Sequence, residues 1–190
     1  MRLSKSHPEW VLGFEDEVWF SRYAQPSAAT WTPDKPMRLV QNEPDKTDKD
    51  PKALALYGLL RADTGQMLLR FVTGRPVSNV TEVFLSWVLA RLAAEGKSAL
   101  LMVWDNASWH LSKRVKAWIK AHNETVKKAG GCRLLVCPLP SKSPWFNNIE
   151  PKWAHGKRAV LEPSRKLSAD ELKTRLCAYY QCEMIEPIPQ

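Results

Sequence analysis

The sequence predicts one α/β domain in which a mixed five-stranded sheet is flanked by helices, in the order βββαβαβα. Two observations lead to this fold class. Three β-type segments precede the first helical periodicity, and two further apolar segments alternate with helical ones. A chain of 190 residues with 44% hydrophobic residues can bury one sizeable core but not two. We therefore expect a single domain over residues 1–190, with its core in 10–160 and a C-terminal helix in 161–190.

The first three strands are expected to be consecutive and antiparallel. Residues 10–20, 53–60 and 66–73 have β-type composition, and the Ala-Asp-Thr-Gly sequence at 62–65 is typical of a hairpin turn. The polar stretch 25–52 separates the first two strands and ends in a run of charged residues. It is predicted to be a loop.

The second half of the chain alternates helices and strands. Apolar residues at helical spacing predict helices over 80–91 and 111–122, and each of these helices leads into an apolar strand, 99–104 and 133–138.

Two more helices complete the pattern. One is expected to begin near Asn148, because Pro151 suits a first helical turn. Ser168 and Glu171 form a capping pair for the last helix.

Neither a membrane span nor a leader peptide is visible in the sequence. A bilayer-spanning helix needs about 18 or more consecutive apolar residues, which no stretch provides. The N-terminus MRLSKSHPEW lacks the apolar region of a signal peptide. We expect a soluble, cytoplasmic protein without a membrane partner.

The net charge of +8 is unevenly distributed. Residues 111–166 contain 13 Lys and Arg against 3 Asp and Glu, so the remainder of the chain is slightly acidic. This basic half could bind a polyanion, or it could be a solvated helical surface.

Four cysteines form two C-x4-C pairs, Cys132 with Cys137 and Cys177 with Cys182. The first pair brackets a strand-like RLLV and the second falls on a predicted helix, whereas structural zinc sites favour such pairs at turns. We expect reduced thiols and no zinc.

Asp16 is the first candidate functional residue. Period-two alternation in the first strand places it on the same face as the apolar Phe14 and Val18. An ionised carboxylate on that face needs a partner, which could be an Arg or Lys side chain or a metal ion.

Asp105 and Glu150 are the other two candidates. Asp105 follows an apolar strand, at the end where α/β sheets collect their ligands, although an Asp-Asn pair is also a common helix cap. Glu150 lies at a helix start, where it could simply interact favourably with the helix dipole.

Convergence of the three acids would have a chemical consequence. Their mutual repulsion would raise one or more pKa values unless divalent cations lay between them. Carboxylate oxygens favour Mg²⁺ or Mn²⁺ over zinc, and two such ions about 3.5 to 4 Å apart can activate a water or a 3′ hydroxyl and stabilise the leaving oxygen of a phosphodiester. The hypothesis is metal-assisted phosphoryl transfer, with the basic half holding the DNA backbone.

Three sequence blocks around these acids resemble the catalytic domain of the DDE transposases of the IS630/Tc1/mariner superfamily. The blocks are FEDEVWF at 14–20, DNASWH at 105–110 and LPSKSPWFNNIEPKW at 139–153. The resemblance runs from about Trp10 to Val160. One departure is Asn148, which stands where the family usually has proline.

The resemblance implies a ribonuclease H-like fold and a D-D-E triad. Asp16, Asp105 and Glu150 would hold two Mg²⁺ (or Mn²⁺) ions, with Asp105 bridging them. The implied activity is cleavage of DNA at transposon ends and joining of the freed 3′ hydroxyl to target DNA, by a homo-oligomer in the active complex.

Asn106, His110 and Asn147 are expected to support this site. His110 could approach the metal ions or DNA, or it could be a structural group that is hydrogen-bonded to its neighbours. The structural role is the favoured interpretation.

Candidate DNA contacts are basic residues near the second and third acids, together with one aromatic residue. They are Lys113, Arg114, Lys116, Lys120, Lys142, Trp145, Lys152, Lys157 and Arg158. Lysine and arginine contacts to phosphates give affinity with strong salt dependence. Trp145 could stack on an unpaired base.

The helix-turn-helix modules with which such transposases normally begin are expected to be absent, since only nine residues precede the first strand. The chain could be an isolated catalytic domain, one product of a split reading frame whose helix-turn-helix part is encoded separately, or a truncated remnant. The alternative function is therefore a catalytically silent DNA-binding or assembly remnant of a transposase.

Overall fold

One mixed sheet with two helices on each face makes up the described part of the chain. The computed structural model describes residues 6–23, 47–75, 77–141, 143–161 and 165–190. Its strands are β1 (Trp10–Ser21), β2 (Ala53–Arg61), β3 (Met67–Thr73), β4 (Ala99–Trp104), β5 (Arg133–Pro138) and β6 (Ile188–Pro189). Its helices are α1 (Ser78–Ala94), α2 (Lys113–Ala129), α3 (Glu150–Val160) and α4 (Ala169–Tyr180), with a short 3₁₀ turn at Pro144–Phe146.

The strand order across the sheet is β5-β4-β1-β2-β3-β6. The first three strands are antiparallel as predicted, β4 and β5 run parallel to β1, and β6 runs parallel to β3. The prediction of five strands was wrong by one, because β6 is only two residues long and contains a proline, which gives no alternating pattern to read.

The predicted hairpin between β2 and β3 is confirmed. The Arg61 N–H donates to the Gln66 carbonyl at 2.9 Å, and Gly65 adopts a φ of +73°, a left-handed conformation that favours glycine. The predicted loop at 25–52 falls mostly on residues 24–46, which lie outside the described part.

Two hydrophobic cores lie on opposite faces of the sheet. The first core packs α1 and α2 against side chains such as Val11 and Leu100, and the second core packs α3 and α4 against Phe14, Val18 and Phe20. Odd and even residues of β1 therefore both face helices. The apolar side of β1 is consequently not one face alone, as its sequence suggested.

Helix starts agree with the capping chemistry in part. Ser168 and Glu171 form the predicted capping box of α4, and Ser112 caps α2. Helix α3 starts at Glu150, two residues later than predicted, with Pro151 in its first turn.

The described helices are all too short or too polar to cross a membrane.

Candidate active site

The register between β1 and β4 brings the two aspartates together. Phe14 pairs with Val103 in parallel, and Asp16 and Asp105 each lie two residues further along the chain. Residues two apart in a strand share a face, and neighbouring strands are about 4.8 Å apart. The two carboxylates therefore lie side by side at the end of β4, where the chain leaves the sheet.

Glu150 joins them from a different part of the chain. A cavity of about 300 Å³ is lined by Asp16, Asp105 and Glu150 together, with Asn106 and Asn147 among its other polar residues. The structure thus brings the three predicted acids to one cavity from a strand, a strand end and a helix start.

The segment before Glu150 is anchored to the sheet. Asn147 is 3% exposed and donates from Nδ2 to the Glu15 carbonyl at 2.9 Å, while Ile149 is fully buried in the second core. The Oδ1 atom of Asn147 has no hydrogen-bond partner in the described residues. The first turn of α3 is therefore fixed over β1, which determines where Glu150 lies.

The ionised form of Asp16 is disfavoured in the cavity. Burial, together with the carboxylates of Glu150 and Glu17, raises its pKa to about 7. The indole N–H of Trp153 donates to Asp16 Oδ2 at 3.0 Å and partly offsets these effects. A cation in the cavity would offset the contribution of the neighbouring carboxylates to the raised pKa.

Asp105 is held by two donors from the segment that follows it in the chain. Its Oδ1 accepts from the Ala107 backbone N–H and lies 2.9 Å from His110 Nδ1. The hydrogen bond from His110 keeps the pKa of Asp105 below its usual value. Asp105 therefore remains ionised at pH values at which Asp16 becomes protonated.

Asn106 connects the loop after β4 to the loop after β5. Its Nδ2 donates to the Leu139 carbonyl at 2.7 Å. This bond fixes the two loops that form one wall of the cavity.

A buried polar cluster lies behind the cavity, on the opposite face of β1. It consists of Glu15, Glu17, Trp109 and His110. His110 Nε2 lies 3.4 Å from Glu15 Oε2 and 3.2 Å from Glu17 Oε1, and the Trp109 indole donates to Glu17 Oε1 at 2.6 Å. The His110 ring also stacks on Trp104 with 4.2 Å between centroids.

The charges in this cluster are coupled. Burial alone would lower the pKa of His110, but Glu15, Asp105 and Glu17 outweigh it and raise that pKa to about 11. One imidazolium cannot neutralise three carboxylates. Burial and Glu17 therefore hold the pKa of Glu15, which is 1% exposed and accepts no hydrogen bond, well above its usual range.

Two groups of described residues offer ligand atoms for a metal ion, and one of them already brings those atoms within 4.8 Å of one another. The first is the acidic triad around the cavity. In the second, Glu15, Glu17 and His110 each offer a ligand atom and these atoms lie within 4.8 Å of one another. A protonated His110 lies within the second group, whereas of the triad it contacts only Asp105, and no cation of the described residues pairs with Asp16 or Glu150. The cavity is therefore the better candidate metal centre.

The basic residues proposed to contact DNA lie on exposed helix surfaces. Those on α2 are Lys113, Arg114, Lys116 and Lys120, and those on α3 are Lys152, Lys157 and Arg158. Arg114 is engaged by Glu82 through two bonds of 2.7 and 2.8 Å. Lys142 lies outside the described residues. Trp145 is 70% exposed, on the 3₁₀ turn between two residues that line the cavity, Ser143 and Asn147.

Comparison with known proteins places this geometry in a family. The model of the DDE superfamily endonuclease family matches residues 11–173. The chain belongs to the DDE superfamily of endonucleases. The predicted family resemblance is thereby confirmed at the level of this superfamily, and none of the curated proteins compared with the DDE domain matches it.

Solved structures of one mariner transposase share the fold of the DDE domain. A Mos1 transposase paired-end complex with the left transposon end matches at 14% identity with a TM-score of 0.62, covering 96% of this chain and 52% of that one. A Mos1 paired-end complex with Mn matches at 14% identity with a TM-score of 0.64, and it likewise covers 96% of this chain and 52% of that one. A Mos1 paired-end complex with Mg matches at 16% identity with a TM-score of 0.60, covering 90% of this chain and 47% of that one.

These likenesses confirm the ribonuclease H-like α/β fold. The DDE domain spans about half the length of the transposase chains that it matches.

Several residues that shape the site escaped the sequence-based prediction. Glu15 and Glu17 lie on the opposite face of β1 from Asp16 and were not among the predicted site residues, because the sequence did not show that helices cover that face too. The donors Trp109 and Trp153 were read only as motif positions. A usable signal was the density of acids in Glu-Asp-Glu, since three adjacent carboxylates in one strand require donors or cations on both faces.

Proposed function

We propose that the DDE domain is the catalytic domain of an insertion-sequence transposase that performs metal-dependent DNA strand cleavage and strand transfer through Asp16, Asp105 and Glu150. The observation that carries this proposal is that three acids from separate elements line one cavity. Family membership supplies the reaction class, phosphodiester cleavage.

The donor set fits divalent cations. Three carboxylates offer only oxygen ligands, which suit Mg²⁺ and Mn²⁺, and no cation of the described residues pairs with Asp16 or Glu150. Asp16, Asp105 and Glu150 would hold two such ions, in keeping with the Mn and Mg complexes of the Mos1 transposase. When bound, the ions would supply activation of the attacking oxygen and stabilisation of the leaving oxygen.

The residues around the triad would bind and orient DNA. The exposed lysines of α2 and α3 and Arg158 would contact phosphates, while Arg114 would have to leave Glu82 to do so. Asn147 would act indirectly, because its bond to the Glu15 carbonyl holds the segment that places Glu150. Trp145, exposed next to the cavity, would stack on an unpaired base.

The partners would be transposon ends and target DNA, with a homo-oligomer in the active complex. The paired-end complex of the Mos1 transposase with its transposon end supports this assignment. Recognition of specific ends would need a helix-turn-helix part, which could be encoded separately. The site of action would then be the nucleoid of a prokaryotic cytoplasm.

A second candidate function is a catalytically silent remnant that binds DNA or an intact transposase. The basic helix surfaces would serve binding alone equally well. The acidic cavity favours catalysis, because DNA binding gives no reason to place repelling carboxylates together.

A cleavage assay with matched variants tests the proposal. The substrate is DNA carrying the element's ends, with Mg²⁺ or Mn²⁺ as the cofactor. Asp105→Asn and Glu150→Gln should each lower cleavage by at least about 100-fold, since loss of a residue that only orients a metal ligand already costs about 10- to 100-fold. Glu124→Gln, the same change at an exposed residue of α2, should leave cleavage unchanged. Equal background from wild type and Glu150→Gln would favour the silent remnant.

A further inference from the structure

We propose that Trp153 is a positioning residue for Asp16. Its indole N–H holds one carboxylate oxygen, so that the carboxylate keeps the orientation with which it would bind a divalent ion. This inference rests on the proposed function of the cavity. It assigns to a residue outside the triad the task of presenting one of its ligands.

The hydrogen bond joins two elements that are far apart in the chain. Trp153 Nε1 lies 3.0 Å from Asp16 Oδ2, and the indole is 3% exposed. Indole is a donor only and carries no charge. It can therefore stabilise the ionised carboxylate without neutralising it, whereas an arginine in its place would compete with the metal ion.

The indole of Trp153 fits against the sheet because residue 58 is a glycine. Gly58 lies directly opposite Asp16 in the β1–β2 pairing, and a Cβ at residue 58 would overlap the Trp153 ring. Glycine at this position thus opens a gap in the sheet surface next to the carboxylate. The indole occupies that gap.

Aromatic neighbours fix the indole from the sides. The rings of Phe20 and Tyr180 meet Trp153 edge-on, with centroid distances of 6.2 and 5.7 Å. The Tyr180 hydroxyl donates to the Lys152 carbonyl at 2.9 Å, which ties α4 to the same turn of α3. The donor therefore has little freedom to move away from Asp16.

Helix α3 couples this donor to the third acid. Glu150 and Trp153 are three residues apart and so project from the same face of the helix. One rigid element therefore places the Glu150 carboxylate and the group that orients Asp16.

The test compares metal affinity in two Trp→Phe variants. Mn²⁺ binding is measured by isothermal titration calorimetry, with no DNA present. Trp153→Phe keeps an aromatic ring over Gly58 and removes the donor, and it should weaken Mn²⁺ binding about 10- to 100-fold, as loss of an orienting outer-shell partner does. The control is Trp118→Phe, at a partly buried tryptophan of α2 that packs on the first core and should leave the affinity unchanged.

The outcomes separate this inference from the proposed function. Wild-type affinity in a folded Trp153→Phe protein, together with normal binding by the wild type, overturns the positioning role alone. A wild-type protein that binds neither Mn²⁺ nor Mg²⁺ overturns the proposed function and this inference with it.

A measurement on the intact indole covers the case in which Trp153→Phe does not fold. Among the nine tryptophan indole N–H signals in a ¹H–¹⁵N NMR spectrum, one should exchange slowly with solvent, shift on addition of Mg²⁺ and move in Asp16→Asn. Absence of any indole signal that responds to both changes contradicts the proposal.

Discussion

Asp16 and its two neighbours in β1 meet opposite environments on the two faces of the sheet. Glu15 and Glu17 point into the first-core side, where His110 and Trp109 supply a cation and a donor. Asp16 points to the cavity side, where another acid, Glu150, contributes to its raised pKa. Among the described residues, a cation thus pairs with the acids of one face, and none pairs with Asp16 on the other.

This difference indicates different purposes for the same residue type. The cluster behind the sheet is closed and contains its own cation, His110, so its contribution is to the folded state. In the cavity, Asp16 and Glu150 pair with no cation of the described residues, and their repulsion costs stability until a cation binds. Substitutions on the two faces should therefore change stability in opposite directions.

The largest effect is expected from His110→Gln. Removing the cation leaves buried Glu15 and Glu17 without a counter-charge, which typically costs about 3–5 kcal/mol in the free energy of unfolding. Urea denaturation at pH 7 measures it. His122→Gln is the matched control, at a partly buried histidine bonded to the Cys132 carbonyl at 2.9 Å, and should cost only about 1 kcal/mol. Equal losses in the two variants would mean that the cluster is not held by charge.

Asp16→Asn should have the opposite sign. Its folded-state pKa of about 7 lies above the value of about 3.8 for an unperturbed aspartate. The folded protein therefore binds more protons than the unfolded chain between these values, and its stability falls as pH rises from about 4 to 7. Asp16→Asn should abolish that slope and gain on the order of 1–3 kcal/mol at pH 8, allowing for partial exposure.

Urea denaturation in EDTA at pH 4 and pH 8 measures this effect. Asp170→Asn, at an exposed acid in the first turn of α4, serves as the control and should keep the wild-type slope. Cleavage should be lost in Asp16→Asn and kept in Asp170→Asn. A slope that survives in Asp16→Asn would assign the pH dependence to other groups and would remove the stated difference between the faces.

Much of the fold could be predicted because its elements carry local signals. The apolar composition of β1 and β2, the glycine turn at Gly65 and the Ser168 capping box each depend on a few neighbouring residues. Strand β6 carries no such signal, since its pairing with Val72 is made by two residues near the end of the chain.

The site residues differ in the same way: the three acids carry a local sequence signal, and their partners do not. Spacing and motif located Asp16, Asp105 and Glu150, which the structure brings to one cavity. The partners of those acids could not be read from the sequence. Trp153 reaches Asp16 across 137 residues and His110 reaches Glu17 across 93, so both contacts depend on how the helices pack on the sheet.

The smallest effect on folding should come from Trp145→Ala, on the cavity side. Trp145 is 70% exposed, so its loss should change the free energy of unfolding by no more than about 0.5 kcal/mol. If it stacks on a base, DNA affinity should nevertheless fall by about 1–3 kcal/mol, which is roughly 5- to 150-fold. Fluorescence anisotropy with a labelled single strand at fixed salt measures the affinity. Trp145→Phe should recover most of it because the π-face is kept, and Tyr179→Ala, at a 43% exposed aromatic residue of α4, should leave it unchanged. Equal weakening by Trp145→Ala and Tyr179→Ala would indicate a general loss of surface contact and would remove Trp145 from the DNA-binding side of the cavity.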